Sequence, residues 1–277
     1  MSEEGIFLAR KGNVAIVTMN RPQRRNAFNE HMFLALAQVT GELKKKLPRA
    51  IVITGGGENV FSAGFDVNPD NPWVAKLINS VEKADSAPAE DLIGRLRKIV
   101  DEFVCLPVPI IAALNGLAYG GGAELAVRCD MRVMDPDAVI SFSEVRLGLM
   151  PDWGGGAALA HLIGSSRAAD MILTARKVLA GEAINFGLVN RISRPGECLD
   201  EALRLAEMIS KNGPRAVSYA LNLIRQSQNQ SLNQSLDLEA EKAVALIVSG
   251  ECFHGVAAFL EKKEPEFPDV DPDAMGV

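Results

Sequence analysis

The stretch from residue 109 to residue 156 constrains the chain more than any other. It opens with an apolar run, Ile110 to Leu114, fenced by Pro109 and by Asn115-Gly116, which predicts a buried strand followed by a turn. Three consecutive glycines, Gly120 to Gly122, then meet the amphipathic segment Ala123 to Cys129, so a glycine-rich turn is expected to feed a helix N-terminus. Such a terminus presents unpaired N–H donors and partial positive charge, and glycines let a ligand oxygen come close to them. The pattern suits a place where negative charge develops.

Three carboxylates follow in order, Glu124, Glu144 and Asp152, and each has a plain structural reading beside the chemical one. Glu124, in a first helical turn, either complements the helix dipole or works in catalysis. Asp152, ahead of Trp153 and the glycines Gly154 to Gly156, either caps the segment Ala157 to Ile163 or joins a site. Glu144 ends a run of β-formers, Ala138 to Phe142, at a strand terminus, where functional groups of α/β sheets collect. An ordinary ion pair with Arg146 is its alternative.

These residues carry a family resemblance. The segments PIIAALNG, GGGAELA, RCD and SFSEVRLGLMPD, with the glycines that follow, resemble the crotonase superfamily of enoyl-CoA hydratases and isomerases. The likeness runs from the N-terminal hairpin to about Lys263. It implies an α/β fold, a crotonase-like spiral of ββα units with a C-terminal helical region, and acyl-CoA substrates held by an oxyanion hole of two backbone N–H groups. On this sequence those donors are Gly121 and Phe65, the latter in FSAGFD, with Ala63, Gly64, Asp66 and Gly120 expected along the substrate.

Glu124 and Glu144 fall on the superfamily's hydratase glutamates, so the resemblance implies reversible hydration of a 2-enoyl-CoA. Asp152 stands where relatives resembling dienoyl-CoA isomerases keep a proton-transfer aspartate and where many hydratases keep glycine. An additional polar wall in a hydratase accommodates it; a double-bond isomerase using Glu144 and Asp152 is the alternative. No cofactor is implied beyond the coenzyme A that the substrate carries.

Composition fits an enzyme of this kind. The chain has 277 residues, 48% of them hydrophobic, enough for a sizeable buried core with a helical extension; the resemblance places the core over residues 1–198 and a helical oligomerisation region over 199–264. The tail 265–277, rich in Pro and Asp, is expected to be disordered. A net charge of −6 argues against a nucleic-acid partner, and with it against an RNA-binding or assembly role as the competing class. No basic, apolar-cored leader and no membrane-length apolar run are present, so a cytoplasmic protein without a membrane partner is expected. Cys105, Cys129, Cys198 and Cys252 lie far apart, three of them among apolar neighbours as reduced core thiols would, and His31, His161 and His254 are isolated. No metal site is expected.

Along the rest of the chain, Ile6 to Arg10 and Val14 to Met19 predict a hairpin, and Phe33, Leu36, Ala37, Thr40 and Leu43 predict a helix. Arg24 and Arg25, in the loop NRPQRRN between them, either stay solvated or meet the phosphates of coenzyme A, as the resemblance implies. Residues 67 to 100 are broken by Pro69, Pro72 and the tract from Ala84 to Pro88, and helical periodicity starts only at Asp91. Trp73 and Leu77 there either line an acyl pocket or belong to a surface segment. From Leu199 on the pattern is helical, an end that in the superfamily packs trimers, often paired into hexamers. Lys262 and Lys263 either contact the nucleotide or are a charged helix end.

Overall fold

The computed structural model describes residues 4–270. Strands β1 (Gly5–Lys11) and β2 (Val14–Asn20) pair antiparallel as the expected hairpin. Helix α1 (Glu30–Lys45) follows, capped by Asn29, whose side chain accepts the Met32 N–H at 3.1 Å. Its buried stripe is Met32, Phe33, Leu36, Val39, Thr40 and Leu43, the three-and-four spacing of a helix lying on a core.

From there the chain repeats a strand, a second short strand and a helical excursion. The first turn is β3 (Ala50–Gly55), β4 (Asn59–Ser62), α2 (Pro72–Lys83) and α3 (Ala87–Val104). The second is β5 (Ile110–Leu114), β6 (Gly116–Tyr119) and α4 (Gly121–Arg128). The third is β7 (Met131–Met134), β8 (Val139–Ser141), a 3-10 turn at Glu144–Leu147, α5 (Gly155–Ile163) and α6 (Ser165–Thr174). Strand β9 (Val178–Leu179), α7 (Ala180–Asn185) and β10 (Arg191–Ile192) close the spiral, and α8 (Cys198–Ser210), α9 (Pro214–Ser227), α10 (Leu232–Val248) and α11 (Glu251–Leu260) end it.

The first strand of each turn joins one sheet, ordered β1-β2-β3-β5-β7-β10 and parallel from β2 onward; the second joins another, ordered β4-β6-β8-β9. This is the spiral of ββα units expected from the sequence. Every residue of β3 and β5 is buried, so these strands show no in–out alternation and need cover on both faces. One face meets the large core that includes α1 and α3; on the other, Ala50, Val52, Ile111 and Ala113 pack on Cys198, Ala202, Leu203 and Ala206 of α8.

That packing corrects the boundary drawn at residue 198. Helix α8 starts at Cys198 and completes the core, so the helical extension proper begins with α9. Pro72 is likewise no breaker: it occupies the first turn of α2, behind an Asn71 side chain that accepts the Trp73 N–H at 3.3 Å. The tail also differs from expectation over residues 265–270, which fold back so that the Phe267 carbonyl and the Asp269 carboxylate accept from Arg49. Residues 271–277 lie outside the described residues.

Cys129 and Cys198 are buried, and burial pushes both thiols up to about 12, whereas Cys105 is exposed and Cys252 half-buried, so two thiols and not three are core residues. Helix α10 buries none of its residues and leaves Leu236, Val244, Ile247 and Val248 at the surface, joined by Phe259 of α11. Among the described residues no single helix is long and apolar enough to cross a membrane, and no cluster of side chains has metal-ligating character.

Candidate active site

Strands β4, β6 and β8 are parallel neighbours, so their carboxyl ends open at one edge of one sheet. That edge is where open α/β sheets place ligands. The chain leaving β4 is Ala63 to Phe65, the chain leaving β6 is Gly120-Gly121, and the chain leaving β8 carries Glu144. All three exits line one cavity of about 150 Å³, together with Glu124 and Asp152.

The first exit is set by the loop before α1. Asn26 donates to the Phe61 carbonyl at 3.1 Å, the Ser62 hydroxyl donates to the Asn26 carbonyl at 2.8 Å, and the Ala63 N–H donates to the Arg25 carbonyl at 2.9 Å. Phe28 forms a parallel bridge with Phe65: its N–H donates to the Gly64 carbonyl at 2.7 Å and its carbonyl accepts the Asp66 N–H at 2.9 Å. In a parallel bridge the bonded partners are the neighbours of the opposed residue, which turns the Phe65 N–H to the other side, toward the cavity.

The second exit is the start of α4. Gly120 has φ 51° and ψ −128°, and its N–H donates to the Ser141 carbonyl at 3.0 Å, which ties the turn to β8. Gly121 is the first residue of the helix, and its N–H lacks an intrahelical partner by position. Among the described residues neither the Phe65 N–H nor the Gly121 N–H donates to any protein group. Both residues line the one cavity.

The acids differ in their surroundings. Glu124 is buried at 1% exposure, and its carboxylate accepts N–H bonds from Trp153 at 2.8 Å, Gly155 at 2.9 Å and Asp152 at 3.2 Å. It thus caps α5 from the first turn of α4, a task that had been one reading of Asp152. Burial nevertheless pushes Glu124 up to about 8; the Gly155 N–H pulls the other way, and the charges of Glu144 and Asp152 add to the rise. Among the described residues neither buried oxygen of Glu144 has a hydrogen-bond partner, and no ion pair joins it to Arg146. Burial raises the Glu144 carboxyl as well, and that of Asp152, the most exposed of the three.

The opposite wall is apolar: Leu77 from α2, Leu92, Ile93 and Leu96 from α3, and Leu147, Leu149 and Met150 after β8. Trp73, in contrast, is fully buried in the core, its ring 5.3 Å from that of Phe33. Trp153 completes the same aromatic group, 5.0 Å from Phe33 and 5.5 Å from Phe28, and lies under Gly121 so closely that a Cβ there would meet its ring at 2.6 Å.

Several expected residues stand elsewhere. Asp66 does not line the cavity; its carboxylate pairs at 2.5 Å with the buried Arg21 guanidinium and accepts the Asn68 N–H at 3.1 Å, so it braces the loop that carries Phe65. Arg24 and Arg25 are exposed next to that loop, Arg24 paired with Asp70 at 3.1 Å. Lys262 and Lys263 follow α11 and do not line the cavity; Lys263 pairs with Glu261 at 2.9 Å.

Three arginines escaped the sequence reading. Arg21 is described above. Arg128 donates to the Trp153 carbonyl at 2.8 Å and pairs with Asp101 at 2.6 Å, holding the loop that carries Asp152. Arg132, 3% exposed, donates to the carbonyls of Cys129 and Leu188 at 2.6 Å and of Ala126 at 3.2 Å, satisfying the end of α4. Its signal was legible: a lone arginine inside the apolar strand MRVM.

The sequence matches the enoyl-CoA hydratase/isomerase family over residues 9–270. It is 33% identical over 273 residues to the short-chain-enoyl-CoA hydratase of Clostridium acetobutylicum, covering 96% of this chain and 98% of that protein. It is 30% identical over 268 residues to the crotonyl-CoA hydratase of Syntrophomonas wolfei, covering 96% and 99%. The crystal structure of an enoyl-CoA hydratase from a Polaromonas species superposes with a TM-score of 0.85 at 30% identity, covering 95% of this chain and all of that one. With the ββα spiral, a match over nearly its whole length and these relatives, the chain belongs to the enoyl-CoA hydratase/isomerase family, within the crotonase superfamily.

Proposed function

We propose that the protein adds water reversibly across the 2,3 double bond of an acyl-CoA thioester. One observation carries the reading: the unpartnered N–H groups of Phe65 and Gly121 share a small cavity with Glu124 and Glu144. A thioester oxygen accepting from both donors puts the reacting carbons over the acids. Water held by Glu124 adds to C3 and gives it a proton, the electron pair of the double bond moves onto the thioester oxygen, and Glu144 delivers a proton to C2. Each donor is worth about 10² to 10³ in rate, because the charge it meets exists only as the enolate forms.

No cofactor enters this chemistry beyond the coenzyme A of the substrate. Arg24 and Arg25, exposed beside the Phe65 loop, are suited to its phosphates. Lys262 and Lys263 come into contact with a nucleotide only where it reaches the end of α11. The uncovered apolar face of α10 and α11 supports assembly into a homotrimer or homohexamer. Sedimentation velocity reads this directly, and a monomer at micromolar concentration would overturn it.

A double-bond isomerase is the second reading, favoured by one observation: Asp152 lines the same cavity as Glu144 and its carboxyl is raised by burial, so it can hold a proton that Glu144 returns at another carbon. Crotonyl-CoA separates the two. Loss of the conjugated thioester absorbance, abolished by Glu144→Gln, is the expected result. Movement of a double bond without uptake of water supports the isomerase, and silence with every acyl-CoA beside tight RNA binding overturns both.

A further inference from the structure

Of the three acids in the cavity, Asp152 has no task in hydration. Glu124 is fixed by three N–H donors and Glu144 faces the cavity with both oxygens unpartnered, whereas the Asp152 side chain neither caps α5 nor braces a loop. Its backbone N–H, not its carboxyl, holds Glu124. The rest of the lining contains no counter-charge: no Lys, Arg or His borders the space. Arg128 is engaged by Asp101 and the Trp153 carbonyl, Arg21 by Asp66 and Glu4, and Arg95 lies over the ring of Trp73, while Arg146, two residues from Glu144, is exposed and does not line the space.

An acyl chain entering between Leu77, Leu96 and Met150 therefore meets hydrocarbon on one side, and the charged side chains it can meet are carboxyl groups alone. A neutral chain gains by burial. A chain ending in a carboxylate has to give up its water with no cation to replace it, beside an Asp152 carboxylate of its own sign. Resting on the acyl-CoA reading above, we infer that the cavity admits only uncharged acyl chains, and that Asp152 is the residue that sets the electrostatic part of this selection against carboxyl-bearing ones.

Saturated thioesters test this without requiring turnover. Titration calorimetry with hexanoyl-CoA and adipoyl-CoA, near neutral pH and low salt, is expected to give adipoyl-CoA a Kd about 100-fold higher. In Asp152→Asn the ratio of the two constants is expected to shrink about tenfold, and in Asp152→Ser similarly, which guards against a local packing effect of either variant. Equal binding of the two ligands by the unaltered protein overturns the inference, and a ratio unchanged in both variants overturns the role of Asp152. Hydration of crotonyl-CoA is read separately. A hydratase that binds both thioesters equally sinks the inference alone, a selective binder that never hydrates sinks the hydratase reading alone, and failure to bind either thioester sinks both.

Discussion

Gly64 lies directly against the backbone nitrogen of Gly121: a Cβ on it would stand 2.6 Å from that nitrogen and 2.8 Å from the Tyr119 carbonyl. The two donor-bearing loops thus touch through a residue without a side chain, itself held at φ 84°. Gly64→Ala is expected to push the Gly121 and Phe65 donors apart and lower kcat by about 10² to 10³, the cost of one lost oxyanion donor. Steady-state kinetics with crotonyl-CoA check it, and an unaltered kcat would remove these amides from the chemistry.

Glu124 links stability to pH. Its carboxyl is raised from 4.5 to about 8 in the folded chain, so the native state keeps a proton that the unfolded state releases. Stability from this group is therefore fully present below pH 4.5 and lost as pH rises through about 8. Melting curves of the unaltered protein and of Glu124→Gln, recorded between these limits, should show the unaltered protein losing ground to the variant as pH rises. Parallel curves would mean that Glu124 ionises normally.

The same carboxyl shapes the pH–rate profile. Glu124 and Glu144 titrate as a pair, and loss of the pair's last proton removes the acid that protonates C2, so kcat should fall on the alkaline side near pH 8. The charge of Asp152 adds to the rise at Glu124. Asp152→Asn is expected to move that falling limb to lower pH, and a limb that stays or moves upward would separate Asp152 from the pair.

Arg132 supports the site from behind. It donates to carbonyls around the end of α4, so Arg132→Met leaves those of Cys129 and Leu188 buried without this donor, at roughly 1–3 kcal/mol each, while the Ala126 carbonyl keeps the Cys129 N–H. Unfolding by urea should show a loss of about 3 kcal/mol or more, with a Tm lower by roughly 5–10 °C. A variant as stable as the parent would show that other donors reach these oxygens.

Much of this was legible in the chain because it is local. The strand Ile110–Leu114, the glycine turn and Glu124 lie within 15 consecutive residues, and neighbouring parallel strands bring their exits together. Asp66 misled because its partner, Arg21, is 45 residues away and no spacing announces it. Residues 67 to 100 misled because Pro72 and Pro88, which stop a helix from within, here start one. Trp73 and Leu77 lie four residues apart on one face of α2, yet one is core and the other cavity wall, a split that runs along the helix axis from the end that meets Phe33. Helix α8 carries the amphipathic pattern of any surface helix, and only the sheet it covers reveals that it finishes the core.

The three strand exits at the sheet edge bring separate duties to one place: β4 and β6 deliver amides, β8 delivers an acid. These exits are not independent: the Gly120 N–H bonds the Ser141 carbonyl of β8, and Trp153 packs directly under Gly121. Rewriting the third loop and the residues that follow it therefore shifts the Gly121 amide and the acids together.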